Sequence, residues 1–423
     1  MTRREFLIAS SLTIAFHNGS LALADKAIKW MSRSIDDTAR DEAFWHPIQA
    51  SFTLDRNIAN FNNGGVSPSP RAVQEALERY LEYSNQAPSY FMWRQLEPEI
   101  ENVRRRLAQT FGADPEEIAI TRNASESLET CLLGFDFQPG DEVLTTDQDY
   151  PRMITTLKTR EKRHGIKLVQ ISLPSAPQTK QELIDGYERA ITPKTKLILV
   201  SHVIFMTGQI YPIRDIVALG RKHNIPVIVD GAHAFAQFPM KRDELDCDYY
   251  GCSLHKWLLA PIGTGFLHVR KSKIENLWPL MAAGDDMKAN IRKYEEIGTH
   301  PAANHNAIGE ALTFNEAIGF DLKAARFRYL RSRWADPLRD EKKVIFHTNL
   351  HPDFSCALTT VEIEGIDPGA LAGWLLDKKG IFVTSIGHPN FKGIRISGNV
   401  YTTIDEVDRL RDAMLEAARK GIA

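Results

Sequence analysis

The chain has 423 residues, with 52 basic and 54 acidic side chains, a formal charge of -2 and 43% hydrophobic residues. This is the composition of an ordinary globular protein, long enough for one large core and a second, smaller one, and its balanced charge argues against a dedicated nucleic-acid binder. Four cysteines (Cys131, Cys247, Cys252 and Cys356) are too few and too scattered for a disulfide framework or a cysteine-rich metal site.

At the N-terminus, Arg3-Arg4 and Phe6-Leu7 lead into an apolar stretch ending at Phe16, followed by Ala22-Leu23-Ala24. This is the order of a bacterial export signal, and the twin arginine resembles the signal of the Tat pathway. It implies cleavage after Ala24 and a periplasmic protein; if the N-terminus is not a signal, the protein is cytoplasmic. Beyond it no apolar run reaches transmembrane length, so no membrane span is expected.

Residues 25–60 are polar and mixed and show no clear period. Asn62-Asn63-Gly64-Gly65-Val66-Ser67-Pro68 is a dense turn cluster, after which Val73, Leu77 and Leu81 recur at helical spacing. From about 115 to 270, short β-rich runs recur at 117–121, 142–146, 166–171, 196–202, 226–230, 249–252 and 265–269. Most are separated by helix-length stretches such as 152–164 and 215–223. Near-continuously apolar strands alternating with helices predict an α/β fold, a doubly wound and largely parallel sheet. From about 301, helical segments at 310–320, 324–334 and 403–420 mix with two or three strands, which predicts a smaller α+β domain. Within it, Phe327, Leu330 and Trp334 fall on one helical face and the arginines between 326 and 333 mostly on the others. A solvated amphipathic helix accounts for this pattern better than a nucleic-acid site does. The expected division is a signal over 1–24, an N-terminal segment over 25–60 that packs with the small domain, a large domain over 61–300 and the small domain over 301–423.

Ligands of open α/β sheets bind beyond the carboxyl ends of the strands, so polar residues there are the candidates. After the first strand, Asn123-Ala124-Ser125-Glu126 opens a helix with a capping-box-like start. Its free N–H groups and the adjacent Ser125 suit a phosphate, although a capped helix alone explains the same residues. The second strand ends at Asp149-Tyr150-Pro151, the fourth at Ser201-His202, and the fifth at Asp230-Gly231-Ala232-His233. Asp230 follows three apolar β-branched residues and leaves a carboxylate on that crowded edge.

Ser253-Leu254-His255-Lys256-Trp257-Leu258-Leu259 places a lysine among apolar neighbours. A buried ammonium is costly unless paired or neutralised, and imine formation with an aldehyde removes its charge. A lysine that snorkels to solvent fits Lys256 taken alone. Taken together, an anion site at a helix start, an aromatic platform, an Asp at a strand end and a partly desolvated Lys match the needs of pyridoxal 5'-phosphate. That cofactor requires N–H donors for its phosphate, a surface for its ring and a carboxylate for its pyridine nitrogen.

Asp230-Gly-Ala-His233, then Ser253-Leu-His255-Lys256-Trp257 and Pro261-x-Gly-x-Gly265, resembles the class V aminotransferases and within them the isopenicillin N epimerase-like branch. The resemblance spans roughly residues 55–415. It implies fold type I of the pyridoxal phosphate enzymes, aspartate aminotransferase-like, with a mostly parallel seven-stranded large domain and a smaller C-terminal one. It further implies that Lys256 carries the cofactor as a Schiff base and shuttles protons at Cα, that Asp230 pairs with the pyridine nitrogen, and that His233 lies near the phenolic oxygen. Tyr150 takes the ring-stacking position, and Ala124, Ser125, Ser253 and His255 match phosphate positions. Gly298-Thr299 resembles the element by which a neighbouring subunit touches the phosphate, implying a homodimer with shared active sites. Arg395, in Gly393-Ile394-Arg395-Ile396-Ser397, matches the arginine that grips the substrate carboxylate. Asn63 and Gly64 fall where the N-terminal segment nears the substrate, and a plain turn explains them equally well.

Two departures bear on the reaction. Where relatives often carry Ser or Asn, this chain reads Ile204-Phe205-Met206, a more apolar wall. Cysteine desulfurases need a cysteine on a mobile loop, whereas Cys356 sits in a strand-like run and reads as a core residue. The expected activity is therefore chemistry at Cα of an amino acid or a peptide-like metabolite, of aminotransferase or epimerase type, with β-elimination at a C–S bond as an alternative. Tyr90 and Arg94 are candidates for the pocket wall, and ordinary packing explains them as well. A zinc site built from His202, His233 and His255 is a competing reading that gives Lys256 no role. A nicotinamide-binding Rossmann site fits worse, because Gly263-Thr-Gly265 lacks the third glycine and precedes a strand. A non-catalytic carrier of amino acid or cofactor is the remaining alternative.

Overall fold

A computed structural model describes residues 33–422, so the export signal read at 1–24 lies outside the described residues. Two short helices, α1 (Ile35–Arg40) and α2 (Glu42–Ala50), form where the sequence shows no period. Each starts on a side-chain cap, Ser34 accepting from the N–H of Asp37 and Asp41 from that of Ala43. Caps and tertiary packing, not periodicity, define helices this short. Strand β1 (Ala59–Asn60) follows, then helices α3 (Arg71–Gln86) and α4 (Glu97–Phe111).

The large sheet comprises β2 (Ile118–Thr121), β3 (Glu142–Thr146), β4 (Lys167–Ile171), β5 (Thr195–Ser201), β6 (Val227–Asp230), β7 (Tyr249–Ser253) and β8 (Gly265–Val269). Their order is β2-β8-β7-β6-β5-β3-β4. All neighbours are parallel except β8, which runs antiparallel to both β2 and β7. Those two reversals make β2 parallel to β7, so the carboxyl ends of β2, β3, β5, β6 and β7 share one edge. Helices α5 (Ala124–Gly134), α6 (Pro151–His164), α7 (Lys180–Ala190) and α8 (Ile213–Lys222) connect the strands. Phe111, Phe235, Tyr250 and Phe266 belong to one core cluster, and Leu128, Leu132, Leu199 and Ile228 to another. The strands β6, β7 and β8 are buried along their whole length, which explains their near-continuous apolar runs.

Helices α9 (Ile308–Ile318) and α10 (Phe320–Ala335) lead to the smaller sheet. This part contains β9 (Val344–Phe346), β10 (Leu358–Ile363), α11 (Pro368–Lys379), β11 (Ile381–Phe382), β12 (Thr384–His388), β13 (Phe391–Ser397) and α12 (Ile404–Lys420). Four of its strands form an antiparallel sheet in the order β12-β13-β10-β9, and β11 pairs in parallel with β1.

The solvated face expected on α10 is only partly present: Arg328 and Arg333 stay half-exposed, whereas two of its arginines are buried. Arg326 is fully buried and donates to the Ala39 carbonyl at 3.0 Å and to the Glu42 carboxylate. Arg331 is buried too, bonded to Ser355 Oγ at 2.6 Å and to the Leu350 carbonyl at 2.7 Å. The N-terminal helices cover one arginine and the 350–356 loop covers the other. Neither partner is visible from the period of α10 itself.

The segment after β5 joins the two sheets. The carbonyls of Phe205, Met206 and Thr207 accept, in turn, from Arg395 Nη1, Thr360 Oγ1 and Thr348 Oγ1. Gly208 makes this crossing possible. Its φ is +75°, and a Cβ there would lie 2.4 Å from the Leu358 carbonyl oxygen. We predict that Gly208→Ala lowers stability by about 2 kcal/mol or more, read from the urea midpoint. An unchanged midpoint would mean that the crossing relaxes freely.

Candidate active site

The shared carboxyl edge brings together most of the residues singled out in the sequence. Asp149, at the end of β3, is a buried carboxylate holding five donors. Its Oδ2 accepts from Thr145 Oγ1, the Thr146 N–H and Thr146 Oγ1, and its Oδ1 from the N–H and Oγ of Ser201. This knot ties β3 to β5 and fixes the start of α6, where Tyr150 is the N-terminal flanking residue. The Tyr150 ring meets that of Phe205 edge-on, with centroids 5.4 Å apart.

Lys256 lies half-buried in the turn after β7, its Nζ 3.1 Å from His233 Nε2. Burial pulls the amine down to about 8; Asp230 opposes that fall and Arg395 adds to it. Burial first, then the nearby Lys256 and Arg395 charges, hold the His233 imidazole well below its ordinary value. Its Nδ1 is buried without a partner. Asp230 ends β6. Burial raises its carboxyl to about 6, opposed by the N–H of Ala232 bonding Oδ1 at 2.9 Å. No hydrogen bond among the described residues engages its Oδ2.

Arg395 stands on β13, buried, between Thr360 and Thr384 of the adjoining strands. Nη1 donates to the Phe205 carbonyl and Nη2 to Asn62 Oδ1, both at 2.8 Å, and Nε has no partner. Burial lowers the guanidinium to about 10, and among the described residues no carboxylate pairs with it. A buried cation that meets only neutral acceptors leaves its charge open to an anionic ligand. Gly64 packs closely beneath it, since a Cβ there would sit 3.2 Å from Arg395 Cζ.

The start of α5 is built as a cap. Asn123 Oδ1 accepts from the Glu126 N–H at 3.0 Å, and the Glu126 carboxylate accepts from the Arg122 N–H at 2.6 Å. Ser253 Oγ takes the Ala124 N–H at 3.0 Å, joining β7 to this turn. The N–H and hydroxyl of Ser125 remain without an acceptor among the described residues. His255 is half-buried, its Nδ1 3.3 Å from the Thr264 carbonyl.

Other candidates lie elsewhere. His202 turns toward Tyr250 Oη at 3.4 Å and is driven down to about 3 by burial, so it does not converge with His233 and His255. Among the described residues no three or more His, Cys, Asp or Glu side chains could hold one metal ion, and the three-histidine zinc reading fails. Asn63 is completely buried, donating to the carbonyls of Asn60 and Ser397 and accepting from Tyr401 Oη at 2.5 Å. Its neighbour Asn62 is the residue that reaches Arg395. Only side-chain direction separates the two, and a turn cluster carries no period to set it. Thr299 is exposed on a bend after Gly298, and Tyr90 and Arg94 are exposed around the π-helical turn Met92–Leu96.

These groups fit pyridoxal 5'-phosphate. The open Oδ2 of Asp230 suits a protonated ring nitrogen, the free Ser125 donors suit a phosphate, the orphaned Nδ1 of buried His233 awaits a polar partner, and Lys256 offers an amine of lowered basicity.

The sequence matches the profile of the family described as Aminotransferase class-V over residues 59–410. It is 29% identical over 389 residues to the isopenicillin N epimerase of Streptomyces clavuligerus, across 88% of this chain and 98% of that protein. To the hercynylcysteine sulfoxide lyase of Schizosaccharomyces pombe it is 25% identical over 338 residues, across 77% of this chain and 85% of that protein. Its fold is shared with a solved mutant of C-DES carrying glycine covalently linked to the PLP cofactor, at a TM-score of 0.75 and 24% identity over 85% of this chain and 98% of that one.

In the cofactor-free chain, Lys256 should react with an amine-directed reagent with a midpoint near pH 8, against about 10.4 for an ordinary lysine. Arg395→Gln removes a cation that lowers Lys256 and raises the midpoint, whereas Asp230→Asn removes the opposing carboxylate and lowers it. Peptide-resolved mass spectrometry across pH reads all three. An unshifted midpoint in the unsubstituted chain would contradict this account of the cleft.

Proposed function

The chain belongs to the class V aminotransferase family, and we propose that it removes the proton at Cα of an α-amino acid or peptide-like metabolite, in chemistry of aminotransferase or epimerase type. Its cofactor is pyridoxal 5'-phosphate. The observation that carries the reading is a buried Arg395 guanidinium without a carboxylate, in electrostatic reach of the paired Lys256 and His233. When bound, the cofactor supplies an electron sink for the bond broken at Cα.

Each residue then has a separable task. Arg395 binds the substrate carboxylate and orients Cα toward Lys256. The Lys256 amine, made less basic by burial, takes the Cα proton on the face it lines, and inversion requires a proton to return on the opposite face. His233, 3.1 Å away, accepts or returns a proton at that amine. Asp230 would pair with the ring nitrogen, Ser125 would hold the phosphate and Tyr150 would stack on the ring.

Thiol chemistry does not fit this chain. All four cysteines are buried, and Cys356 Sγ lies against the carbonyls of Gln237 at 3.8 Å and Ala324 at 3.9 Å. A mechanism that forms a persulfide on a protein thiol would require one of them exposed to the substrate, and all four are buried. β-Elimination needs no protein thiol and is the second reading, supported by the match to a lyase. We further propose that residues 1–24 direct export to the periplasm, and that two copies associate so that Thr299 reaches the phosphate of the partner site.

A panel of L- and D-amino acids and small peptides in deuterated water tests the proposal. Deuterium at Cα with inversion marks epimerisation, keto-acid release marks transamination, and loss of a β-substituent marks the lyase. No exchange at Cα with any substrate would overturn the reading. Arg395→Lys is expected to lower kcat/KM roughly 10- to 100-fold, the loss of a charge-assisted hydrogen bond of about 1.5–3 kcal/mol.

A further inference from the structure

The turn that carries Lys256 is held by donors from outside itself. The His255 carbonyl accepts from the Ser67 N–H at 3.0 Å, and the Ala260 carbonyl from Ser69 Oγ at 3.1 Å. On the other side, the Trp257 carbonyl accepts from Lys323 Nζ, and the Leu258 carbonyl from Asn315 Nδ2 at 2.7 Å. Lys323 and Asn315 also bond one another, Nζ to Oδ1 at 2.5 Å. Within the turn, Leu259 sits at φ +64°, a conformation an L-residue keeps only under external restraint.

Lys323 is an unusual choice for this place. It is fully buried on α10, among the described residues it has no carboxylate partner, and the Phe327 ring lies 5.6 Å away. Burial lowers its amine to about 7. A leucine or methionine would fill the space without desolvating a polar group, so packing alone does not account for it. What only a donor supplies is the bond to the Trp257 carbonyl, directly after the reactive lysine.

We propose that Lys323 and Asn315 are positioning residues, clamping the two peptide units that follow Lys256 and thereby aiming its amine at His233. The proposal rests on Lys256 being the reacting amine, but it can fail while that reading stands. The clamp acts on orientation, so it should govern the titration and turnover of Lys256 more than substrate affinity.

Lys323→Met keeps the volume and removes the donor; Lys323→Gln restores one. For the full chain, the midpoint of Lys256 modification by an amine-directed reagent is read by mass spectrometry without cofactor. In the loaded enzyme kcat and KM are measured separately, with thermal midpoints as a folding control. In the Met variant the Lys256 midpoint is expected to rise by half a pH unit or more toward the ordinary lysine value, because a loosened turn lets the amine reach water. We expect kcat to fall about tenfold at unchanged KM, with Gln recovering most of both. A Met variant with the unsubstituted midpoint and a kcat within twofold overturns the proposal, even if its thermal midpoint falls. Should Lys323→Met not fold, Asn315→Ala, which frees the Leu258 carbonyl and removes the acceptor of Lys323, is judged by the same two readings. If the unsubstituted enzyme turns over no amino acid, the modification midpoints still decide the clamp.

Discussion

The rest of the site follows from the burial of two cations, Lys256 and Arg395, at one strand edge. Of the two carboxylates there, Asp149 is held by five uncharged donors, and Asp230 alone keeps an oxygen without one. Burial works against every cation here, lowering Lys256, His233 and Arg395 together. In the proposed function two anions would relieve it, a phosphate near the α5 start and a carboxylate at Arg395. A site that is electrostatically incomplete when empty binds anions strongly and keeps its amine reactive at neutral pH.

Such crowding survives only on a stiff frame. Asp149 ties two strands at their ends, Ser253 ties β7 to α5, and Gly265 admits the close approach, since a Cβ there would lie 2.7 Å from Asn123 Cα. The small sheet enters through backbone groups. The same Phe205 carbonyl that braces Arg395 belongs to a run of carbonyls bonded to Thr360 and Thr348. Arg395 is thus held by both parts of the molecule, and any shift between them moves the carboxylate site relative to Lys256.

The legible parts of the sequence were those where one residue breaks a local rule. Asp230 ends an apolar strand, and Lys256 sits in an apolar turn; each stands out because a charge there carries a desolvation cost. Most strands of the large sheet were visible because burial on both faces leaves little polar punctuation inside them, the part-exposed edge strand β4 being the exception. Features that depend on a distant partner were not visible. Two arginines of α10, Arg326 and Arg331, read as solvated until Glu42 and Ser355 cover them. His202 was grouped with the site because its strand end is correct, whereas its ring points toward Tyr250. Asn62 and Asn63 differ by one residue, and no period in the turn cluster says which one faces the arginine.

The wall at Ile204-Phe205-Met206 shows how an apolar sequence can serve a polar task. Ile204 and Met206 are buried, and Phe205 turns its ring to the edge of Tyr150, so none of the three side chains offers a hydrogen bond. The polar requirement is met by the peptide carbonyls of Phe205 and Met206, which hold Arg395 and the small sheet. Carbonyls are supplied by any sequence, which frees the side chains to shape the pocket. Under the proposed roles, Phe205 stands between the ring platform Tyr150 and the carboxylate anchor Arg395, where its side chain would act on which substrates fit. The proposed proton chemistry belongs to Lys256 and His233, whose mutual proximity owes nothing to that wall. The proposal thus assigns substrate choice and proton transfer to different elements, β5 with its loop for the first and the β6 and β7 ends for the second.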